Sequence, residues 1–277
     1  MAGQRVMNVL ITGGARGIGR GLVRHFAEKG NKVIFLDSNA AELAHTEELL
    51  RNGPNKARGE VKGLTCDLSN REVIKEKMKL VEQEFQGKLD VLVNNAFPTP
   101  HIWSDDKAMD DSNETIMEEW DTKIAVGLTA PFLLSRLCVP LLKAGGSGSS
   151  PGCIVNISST RAYQSELNHE AYSAAKAGLL GLTQSMAVSL GHSHKIRVNA
   201  IIPGWINVEN ENSEADKQGT KWDDGLTDQD MEWHPAGRVG KVQDIIQAVQ
   251  YVVGAEFITG QEIVVDGGVG RKMVYPE

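Results

Sequence analysis

The chain has 277 residues, of which 41% are hydrophobic and 23% charged, the balance of a globular protein with one large domain or two small ones. A net charge of −7 disfavours nucleic acid and anionic membranes as partners. No uninterrupted apolar stretch approaches the roughly 18 residues that span a bilayer, and the opening residues leave no room for a signal peptide. Three cysteines without a C-x-x-C pair suit reduced thiols, so we expect a cytoplasmic protein.

Short apolar runs alternate with amphipathic segments along the chain. The runs predict seven strands, at 6–12, 32–37, 61–66, 89–94, 153–157, 196–201 and 262–266. The segments between them predict helices at 18–29, 41–51, 72–85, 118–143, 169–190 and 241–253. Buried strands that alternate strictly with helices indicate an α/β fold whose parallel sheet is covered on both faces. Nothing marks a second domain, so we expect a single domain over residues 1–277.

A glycine-rich turn separates the first strand from the first helix. Gly13, Gly17 and Gly19 have the spacing G-x-x-x-G-x-G, with Arg16 and Ile18 between them. Glycines permit a tight turn and close approach of a pyrophosphate, whose charge the helix N-terminus stabilises. The position of the turn, after a strand and before a helix, predicts a dinucleotide site.

Acidic residues end the second strand and follow the third. Asp37 can accept hydrogen bonds from an adenosine ribose and would repel a 2′-phosphate, which favours NAD(H). Arg16 is a basic side chain that could instead pair with a 2′-phosphate, so NADP(H) remains possible. Asp67 either accepts from the adenine amino group or caps the next helix.

Tyr172 and Lys176 lie four residues apart in the predicted helix 169–190, hence on one face. An ammonium within about 4–6 Å of a phenol favours the phenolate and lowers its pKa. Such a pair would let Tyr172 exchange a proton near neutral pH. A tyrosine and a lysine that are merely neighbours on a helix surface commonly show the same spacing. The pair is therefore evidence for catalysis only in combination with the glycine turn and with Ser159 upstream.

Taken together, the glycine turn, Ser159 and the Tyr172–Lys176 pair resemble the short-chain dehydrogenase/reductase family. Further matches are the run 94–96 after the fourth strand, the run 203–206 after the sixth, and motifs at 235–240 and 258–268. They occur in family order over residues 6–270.

The resemblance implies a Rossmann-like, doubly wound domain with a seven-stranded parallel sheet. It implies hydride transfer between a nicotinamide and a secondary alcohol or ketone, without a metal. By family analogy Tyr172 exchanges the proton, Lys176 lowers its pKa and holds the nicotinamide ribose, and Ser159 hydrogen-bonds the substrate oxygen. The implied cofactor contacts are Gly13, Arg16, Gly17, Ile18, Gly19, Asp37, Asp67, Leu68, Asn94, Ala96, Tyr172, Lys176, Pro203, Gly204 and Ile206.

Two positions depart from the family pattern. Phe97 replaces the usual glycine of Asn-Ala-Gly, and either narrows the pocket or packs as a core aromatic. Gly127 stands where the family usually has an asparagine that helps hold a water linking the lysine to solvent. We expect one or two waters to fill the space beside Gly127, so that the proton relay still runs.

Substrate choice is expected to lie in two lid segments, near 97–119 and 205–235. Phe97, Arg161, Tyr163 and Trp205 are the candidate substrate contacts. The run 158–166 also resembles a subgroup often assigned to sugars or polyols. Family members usually form dimers or tetramers, so a homo-oligomer, with a homotetramer as one form, is expected.

The sequence thus predicts an NAD(H)-preferring short-chain oxidoreductase that acts on a small-molecule alcohol or ketone. One alternative is an NADPH-dependent ketone reductase in a biosynthetic pathway. An alternative of another class is a nucleotide-binding sensor or scaffold that has lost turnover, which the intact Ser159, Tyr172 and Lys176 disfavour.

Overall fold

The computed structural model describes residues 5–53, 56–146 and 151–273. Its centre is a seven-stranded sheet of order β3-β2-β1-β4-β5-β6-β7, in which every adjacent pair is parallel. The strands are β1 (Asn8–Thr12), β2 (Lys32–Asp37), β3 (Val61–Thr65), β4 (Val91–Asn94), β5 (Cys153–Ile157), β6 (Arg197–Pro203) and β7 (Glu262–Val265). The predicted doubly wound α/β fold is confirmed. Residues 1–4 of the opening segment, where we expected no signal peptide, lie outside the described residues.

Helices cover both faces of the sheet. They are α1 (Gly17–Glu28), α2 (Ala40–Asn52), α3 (Arg71–Glu84), α4 (Thr115–Ile124), α5 (Ala130–Ala144), α6 (Glu170–His194), α7 (Ser213–Gln218), α8 (Asp228–Glu232) and α9 (Val242–Gly254). The short helices α7 and α8 lie inside the predicted segment 205–235, which the sequence pattern did not indicate as helical.

Alternate residues of the central strands enter opposite cores. Val9 and Ile11 of β1 pack in the core formed with α1 and α9, whereas Leu10 packs in the core formed with α3, α5 and α6. In β2, Phe35 enters the first core and Ile34 the second. This period of two explains why strands covered on both faces read as unbroken apolar runs in the sequence.

The chain changes direction across the sheet at β1. This strand pairs with β2 on one side and with β4 on the other. A crevice forms at such a switch point, beyond the carboxyl ends of the strands. Here Asn95 Nδ2 donates to the carbonyl oxygens of Thr12 (3.0 Å) and Gly13 (3.1 Å), which joins the ends of β4 and β1.

The helix predicted at 118–143 is not one regular helix. A π-helical segment, Ala125–Thr129, separates α4 from α5 and contains Gly127. A π turn adds a residue to the repeat and is often found at functional sites. The interruption lies beside the crevice, because Val126 borders it.

The same helical run, Thr115–Ala144, is long and apolar enough to cross a membrane by length and composition alone, with an 18-residue window of mean hydropathy 1.7. Arg136 and several small or polar residues interrupt the apolar residues of this run, so it reaches that mean without an unbroken apolar stretch of about 18 residues. In the fold, Leu134, Cys138 and Leu142 of this run are buried in the core. That packing is typical of a core helix in a globular protein.

All three cysteines are buried. Burial raises the pKa of Cys66 and of Cys153 to about 11, and raises the pKa of Cys138 as well. Cys138 and Ile154 share a core with Cys66, whereas Cys153 enters the opposite core. Each thiol is thus a small apolar core side chain that stays protonated at neutral pH.

Candidate active site

A cleft of about 1610 Å³ lies beyond the carboxyl ends of the strands. It extends from Asp37, past the glycine turn, to Tyr172 and Trp205. The sequence-predicted residues that line it are Gly13, Arg16, Gly17, Ile18, Asp37, Asp67, Leu68, Ala96, Phe97, Ser159, Arg161, Tyr172, Lys176, Pro203, Gly204, Trp205 and Ile206.

Three predicted site residues lie outside the wall of this cleft. Asn94 is buried, and its Nδ2 donates to Asn156 Oδ1 at 2.8 Å, which links β4 to β5. Tyr163 is 56% exposed, and its hydroxyl donates to the Glu262 carboxylate at the start of β7. Arg161 lies within the turn Thr160–Ala162 and lines the cleft, whereas Tyr163 directly after the turn does not, so adjacency in sequence was a poor guide to the pocket.

Gly19 is the third, and its part is steric. A Cβ at Gly19 would lie 1.9 Å from the carbonyl oxygen of Gly13, so any larger residue would push the glycine turn away from α1. Gly13 and Gly17 have φ of +64° and +57°, a region that favours glycine. Glycine at these three positions therefore allows the glycine-rich turn to pack closely against the start of α1.

The first turn of α1 provides donors for an anion. Among the described residues, the N–H groups of Ile18 and Gly19 have no hydrogen-bond partner, while Gly17 N–H donates to the Glu211 carbonyl oxygen at 2.9 Å. Unpaired N–H groups and the helix dipole favour a pyrophosphate. The glycine cradle and these free donors fit a dinucleotide.

The ribose end of the cleft holds both residues that bear on the 2′ position. Asp37 accepts from Ala15 N–H at 3.1 Å and from Asn39 N–H at 3.0 Å, and lines the cleft. These contacts hold the carboxylate at the end of β2. Arg16 is exposed and lines the same cleft.

Asp67 does not cap α3. Asn70 is the N-cap, and its side chain accepts from the backbone of Glu72 and Val73. Asp67 Oδ1 instead accepts from the backbone N–H and hydroxyl of Ser69, at 2.9 and 2.7 Å. The capping alternative is therefore wrong, and the carboxylate faces the cleft.

Tyr172 and Lys176 lie on one face near the start of α6, both buried. Lys176 Nζ donates to the Ile157 carbonyl oxygen at 2.8 Å and lies 5.5 Å from the centre of the Tyr172 ring. Burial lowers the pKa of Lys176 to about 7.

The expected lowering of the Tyr172 pKa is not what this geometry gives. Burial raises the pKa of Tyr172, and the nearby Ser159 hydroxyl and the charge of Arg161 only partly oppose the rise. Burial disfavours the charged form of both members of the pair, so it acts against the phenolate and the ammonium together.

Ser159 follows β5 and begins the short turn Thr160–Ala162. Its Oγ accepts from Arg161 N–H at 3.1 Å, and the residue is 7% exposed. The hydroxyl hydrogen is thus free to serve the neighbouring Tyr172 or a bound oxygen.

Phe97 and Gly127, the two departures from the family pattern, pack against each other. A Cβ on Gly127 would lie 2.5 Å from Cε2 and 2.8 Å from Cδ2 of Phe97, so the ring fills the place where a side chain at 127 would be. Our expectation that water fills the space beside Gly127 is therefore wrong. Phe97 also contacts Tyr172 edge-on, with ring centres 4.7 Å apart.

His101 is a neighbour of Tyr172 that sequence reasoning missed. The two rings stack with centres 4.4 Å apart and planes at 24°. Burial and the charge of Lys176 lower the pKa of His101 to about 4, so the ring is neutral at pH 7. His101 lies in a loop and belongs to no recognisable motif, so the sequence did not indicate that it contacts Tyr172.

Arg161 is committed to an ion pair with Glu166 at the cleft wall. Gln164 and His169 line the same region, and neither was predicted. Trp205 is 45% exposed, with its ring centre 5.9 Å from that of His234. This end of the cleft therefore combines paired charges, polar side chains and an aromatic face.

Segment 205–235 is tied to the glycine-turn side of the cleft. Glu211 binds Arg24 at 2.8 Å and lies 3.8 Å from Arg20, while Asp216 of α7 also binds Arg20. We call Arg20, Arg24, Glu211 and Asp216 the charged anchor. Arg20 is 2% and Glu211 5% exposed, so the centre of the anchor is buried, whereas Arg24 and Asp216 are 35% and 28% exposed.

Neighbouring contacts support the same attachment. Ser213 donates to Glu42 of α2 from its backbone and its hydroxyl, at 2.9 and 2.7 Å. His45 of α2 contacts Asp216 at 2.7 Å. The segment thus reaches across the cleft from the end of β6 to α1 and α2.

The chain is similar to known proteins over almost its whole length. A family model described as "Enoyl-(Acyl carrier protein) reductase" matches residues 13–270. An uncharacterized oxidoreductase of Thermotoga maritima is 40% identical over 273 residues, which covers 97% of each chain. A 3-oxoacyl-[acyl-carrier-protein] reductase of the same organism is 32% identical over 261 residues, covering 94% of this chain and 96% of the relative.

Solved structures give the same result. An apo SCOR enzyme from Clostridium thermocellum superposes with a TM-score of 0.76 at 35% identity, covering 96% of this chain and 94% of that one. A short-chain dehydrogenase/reductase variant of Serratia marcescens gives 0.75 at 25% identity, covering 95% and 98%. The chain belongs to the short-chain dehydrogenase/reductase family of NAD(P)-dependent oxidoreductases.

Proposed function

We propose that this protein is an NAD(H)-preferring oxidoreductase that interconverts a secondary alcohol and a ketone, with Tyr172 as its acid and base. The observation that carries the proposal is one continuous cleft with a buried Ser159–Tyr172–Lys176 group at one end and Asp37 at the other. In this proposal proton transfer takes place at one end of the cleft, and the choice between NAD(H) and NADP(H) is made at the other.

In this proposal the nicotinamide supplies or accepts the hydride when it is bound. The Tyr172 phenol gives a proton to the carbonyl oxygen during reduction and takes it from the hydroxyl during oxidation. Ser159 donates a hydrogen bond to the same oxygen and stabilises the charge that develops there. Lys176, held by the Ile157 carbonyl at 2.8 Å, orients the ribose and lies 5.5 Å from the centre of the Tyr172 ring.

The preference for NAD(H) rests on Asp37. Its carboxylate is fixed at the end of β2 by two backbone N–H groups, so it cannot turn away from a 2′-phosphate without losing both bonds. Arg16 is exposed and held by no described hydrogen bond, which makes it the more easily displaced of the two. We therefore expect repulsion between the fixed Asp37 carboxylate and a 2′-phosphate to outweigh the attraction between that phosphate and the unrestrained Arg16 side chain.

The substrate in this proposal is a polyol or a sugar-like alcohol. Arg161 and Glu166 place a donor beside an acceptor without net charge. Adjacent hydroxyl groups can accept from the guanidinium and donate to the carboxylate, whereas a substrate carboxylate would have to displace Glu166. The exposed face of Trp205 offers an apolar surface for the carbon skeleton.

The similarity to a 3-oxoacyl-[acyl-carrier-protein] reductase supports a second candidate, an NADPH-dependent ketone reductase in biosynthesis. In that case Arg16 would bind the 2′-phosphate and the open end of the cleft would admit an acyl chain. The two candidates differ in both cofactor and substrate, so one experiment separates them.

The test is titration calorimetry with NADH and NADPH, followed by a reduction screen with fructose, cyclohexanone and ethyl acetoacetate. We expect NADH to bind at least about tenfold tighter, a difference of about 1.4 kcal/mol. Tyr172→Phe should retain NADH binding and lose turnover. Tighter NADPH binding would favour the reductase, and cofactor binding without turnover on any alcohol or ketone would favour a sensor or scaffold.

We also propose a cytoplasmic homo-oligomer, a dimer or tetramer. Phe132 on α5 is 51% exposed and Val188 on α6 is 73% exposed, and a second subunit that covered them would remove this apolar surface from water. Light scattering during size-exclusion chromatography measures the mass directly, and a monomer of 30.1 kDa would contradict the proposal.

A further inference from the structure

Lys176 is an ammonium without a carboxylate partner among the described residues. Its Nζ donates to the Ile157 carbonyl oxygen at 2.8 Å, and the residue is 3% exposed. The other groups near the charge are aromatic: the Phe97 ring centre lies 5.1 Å away and the Tyr172 ring centre 5.5 Å away. The face of an aromatic ring attracts a cation at such distances, most strongly where water is excluded.

Phe97 also holds Tyr172. Their rings meet edge-on, with centres 4.7 Å apart and planes at 81°. On another side His101 stacks on the Tyr172 ring at 4.4 Å, and Phe97 and His101 contact each other at 5.7 Å. Both clamping rings come from the segment that follows β4. The phenol and the ammonium therefore share one neighbour, the Phe97 ring.

The ring fits only because residue 127 is a glycine. A Cβ there would lie 2.5 Å from the Phe97 ring and 3.0 Å from Cβ of Ala175. Real Cβ atoms essentially never approach another atom closer than 3.0 Å. A large residue at 97 and a glycine at 127 therefore form one packing unit, although 30 positions separate them in the sequence.

We propose that Phe97 is a positioning residue, and that its ring, seated against Gly127, fixes the Lys176 ammonium and the Tyr172 phenol relative to each other and excludes water from both. This inference rests on the proposed function, in which these two side chains perform the proton transfer. It assigns a single cause to the two departures from the family pattern.

The packing unit should behave as a coupled pair. Gly127→Asn alone forces the ring out of its seat, and Phe97→Gly alone leaves a space beside Lys176 that water can enter. Both single variants should lower the melting temperature, and Gly127→Asn should lower kcat about tenfold. In Phe97→Gly/Gly127→Asn the new side chain occupies the vacated space, so melting temperature and kcat should recover most of the loss.

A direct readout is the ionisation of Tyr172, taken as the absorbance difference near 295 nm between each variant and the same variant carrying Tyr172→Phe. Burial raises the pKa of Tyr172, so admitting water through Phe97→Gly should move its titration to lower pH by about half a unit or more. A merely structural role for Phe97 would lower the melting temperature and leave this titration unchanged. The titratable or charged groups facing Tyr172 are His101 from the β4–α4 loop, Arg161 from the turn after β5, and His169 and Lys176 from α6.

Gly254→Asn is the matched control, because Gly254 also lies in a helix, at the end of α9, but a Cβ there meets nothing within 4 Å. It should leave kcat, melting temperature and the Tyr172 titration unchanged. Phe97→Leu and Gly127→Ala serve as milder variants if the larger changes prevent folding. Additive effects in the double variant, or an unmoved Tyr172 titration in both Phe97 variants, would overturn the proposal.

Failure of this inference differs from failure of the proposed function. If Tyr172→Phe abolishes reduction with NADH while the Phe97 and Gly127 variants show no coupling, the oxidoreductase proposal holds and the positioning role is refuted. If Tyr172→Phe retains full turnover, the proposed function fails. The absorbance titration needs no substrate, so it still decides whether Phe97 shields the phenol.

Discussion

Replacing Glu211 by glutamine removes one charge from the charged anchor and keeps the shape of the side chain. Glu211 is 5% and Arg20 2% exposed, so the change leaves a buried guanidinium with fewer counter-charges. Breaking a buried pair by removing one partner typically costs about 3–5 kcal/mol. Arg20 keeps Asp216, and Arg24 is 35% exposed, so we expect a cost near the lower end, about 3 kcal/mol.

This cost should appear as local release of segment 205–218 from α1. A loss of 3 kcal/mol corresponds to roughly a 150-fold change in the closing equilibrium of the segment. The Glu211 backbone also accepts from Gly17 N–H at 2.9 Å, so release disturbs the glycine turn itself. If the dinucleotide binds only when segment 205–218 is closed against α1, the measured affinity falls in proportion to the fraction of molecules in which the segment is closed. We expect a loss of affinity of about tenfold or more.

The assay is NADH titration calorimetry combined with hydrogen exchange of residues 205–218. Glu211→Gln should weaken NADH binding and speed exchange there, while exchange in β1 and β4 stays slow. Glu232→Gln, on the exposed surface of α8 in the same segment, is the control and should change neither measurement. Unchanged affinity together with unchanged exchange would refute the idea that the charged anchor holds this segment closed.

Three further predictions concern individual residues, namely Gly19, Lys176 and Glu119. Gly19→Ala should abolish NADH binding, because its Cβ would lie 1.9 Å from the Gly13 carbonyl oxygen, whereas Gly254→Ala should bind NADH normally. Lys176→Met should lose turnover yet melt at a higher temperature at pH 7. Glu119→Gln should abolish an acid-sensitive step in the unfolding of segment 104–123, measured by circular dichroism between pH 5 and pH 2.

The sign of the Lys176 prediction comes from its pKa. Burial lowers that pKa to about 7, below the value of about 10.4 for a free lysine, so the unfolded chain binds more protons between these two values. Wild-type stability should therefore increase from pH 7 towards pH 10, and Lys176→Met should lack this increase. An equal pH dependence in both proteins would contradict the reasoning.

Glu119 also has a lowered pKa, so its contribution to stability likewise increases with pH, but over an acidic range. Burial raises its pKa, but hydrogen bonds from Lys107, Ser104 and Lys123 prevail and lower the pKa to about 2. Its contribution is present above the unfolded value of about 4.3 and is lost as the pH falls towards 2. A wild-type segment that is insensitive to acid over this range would show that these bonds do not stabilise it.

Local patterns were enough to predict the fold and most of the cleft. Strands β1 and β2 are buried on both faces and so read as apolar runs, and the glycine turn marks the place where α1 must approach β1 closely. Tyr172 and Lys176 share a helical face by spacing alone. These features depend on neighbours in the sequence.

Contacts between distant segments were beyond such patterns. Arg20 and Asp216 are 196 residues apart, and no motif relates them. Phe97 and Gly127 each departed from the family pattern, but only the fold shows that one fills the space left by the other. The direction of the Tyr172 pKa was mistaken because spacing reveals a nearby charge and says nothing about how deeply both groups are buried.

The buried cysteines make the protein convenient for site-specific labelling. Thiol reagents attack the thiolate, and all three native thiols are enclosed with pKa values raised by burial. A single cysteine introduced at an exposed position, such as Glu232 on α8, would therefore react alone without removal of the native residues. A fluorophore at that site could report on movement of segment 205–235 in an otherwise native chain.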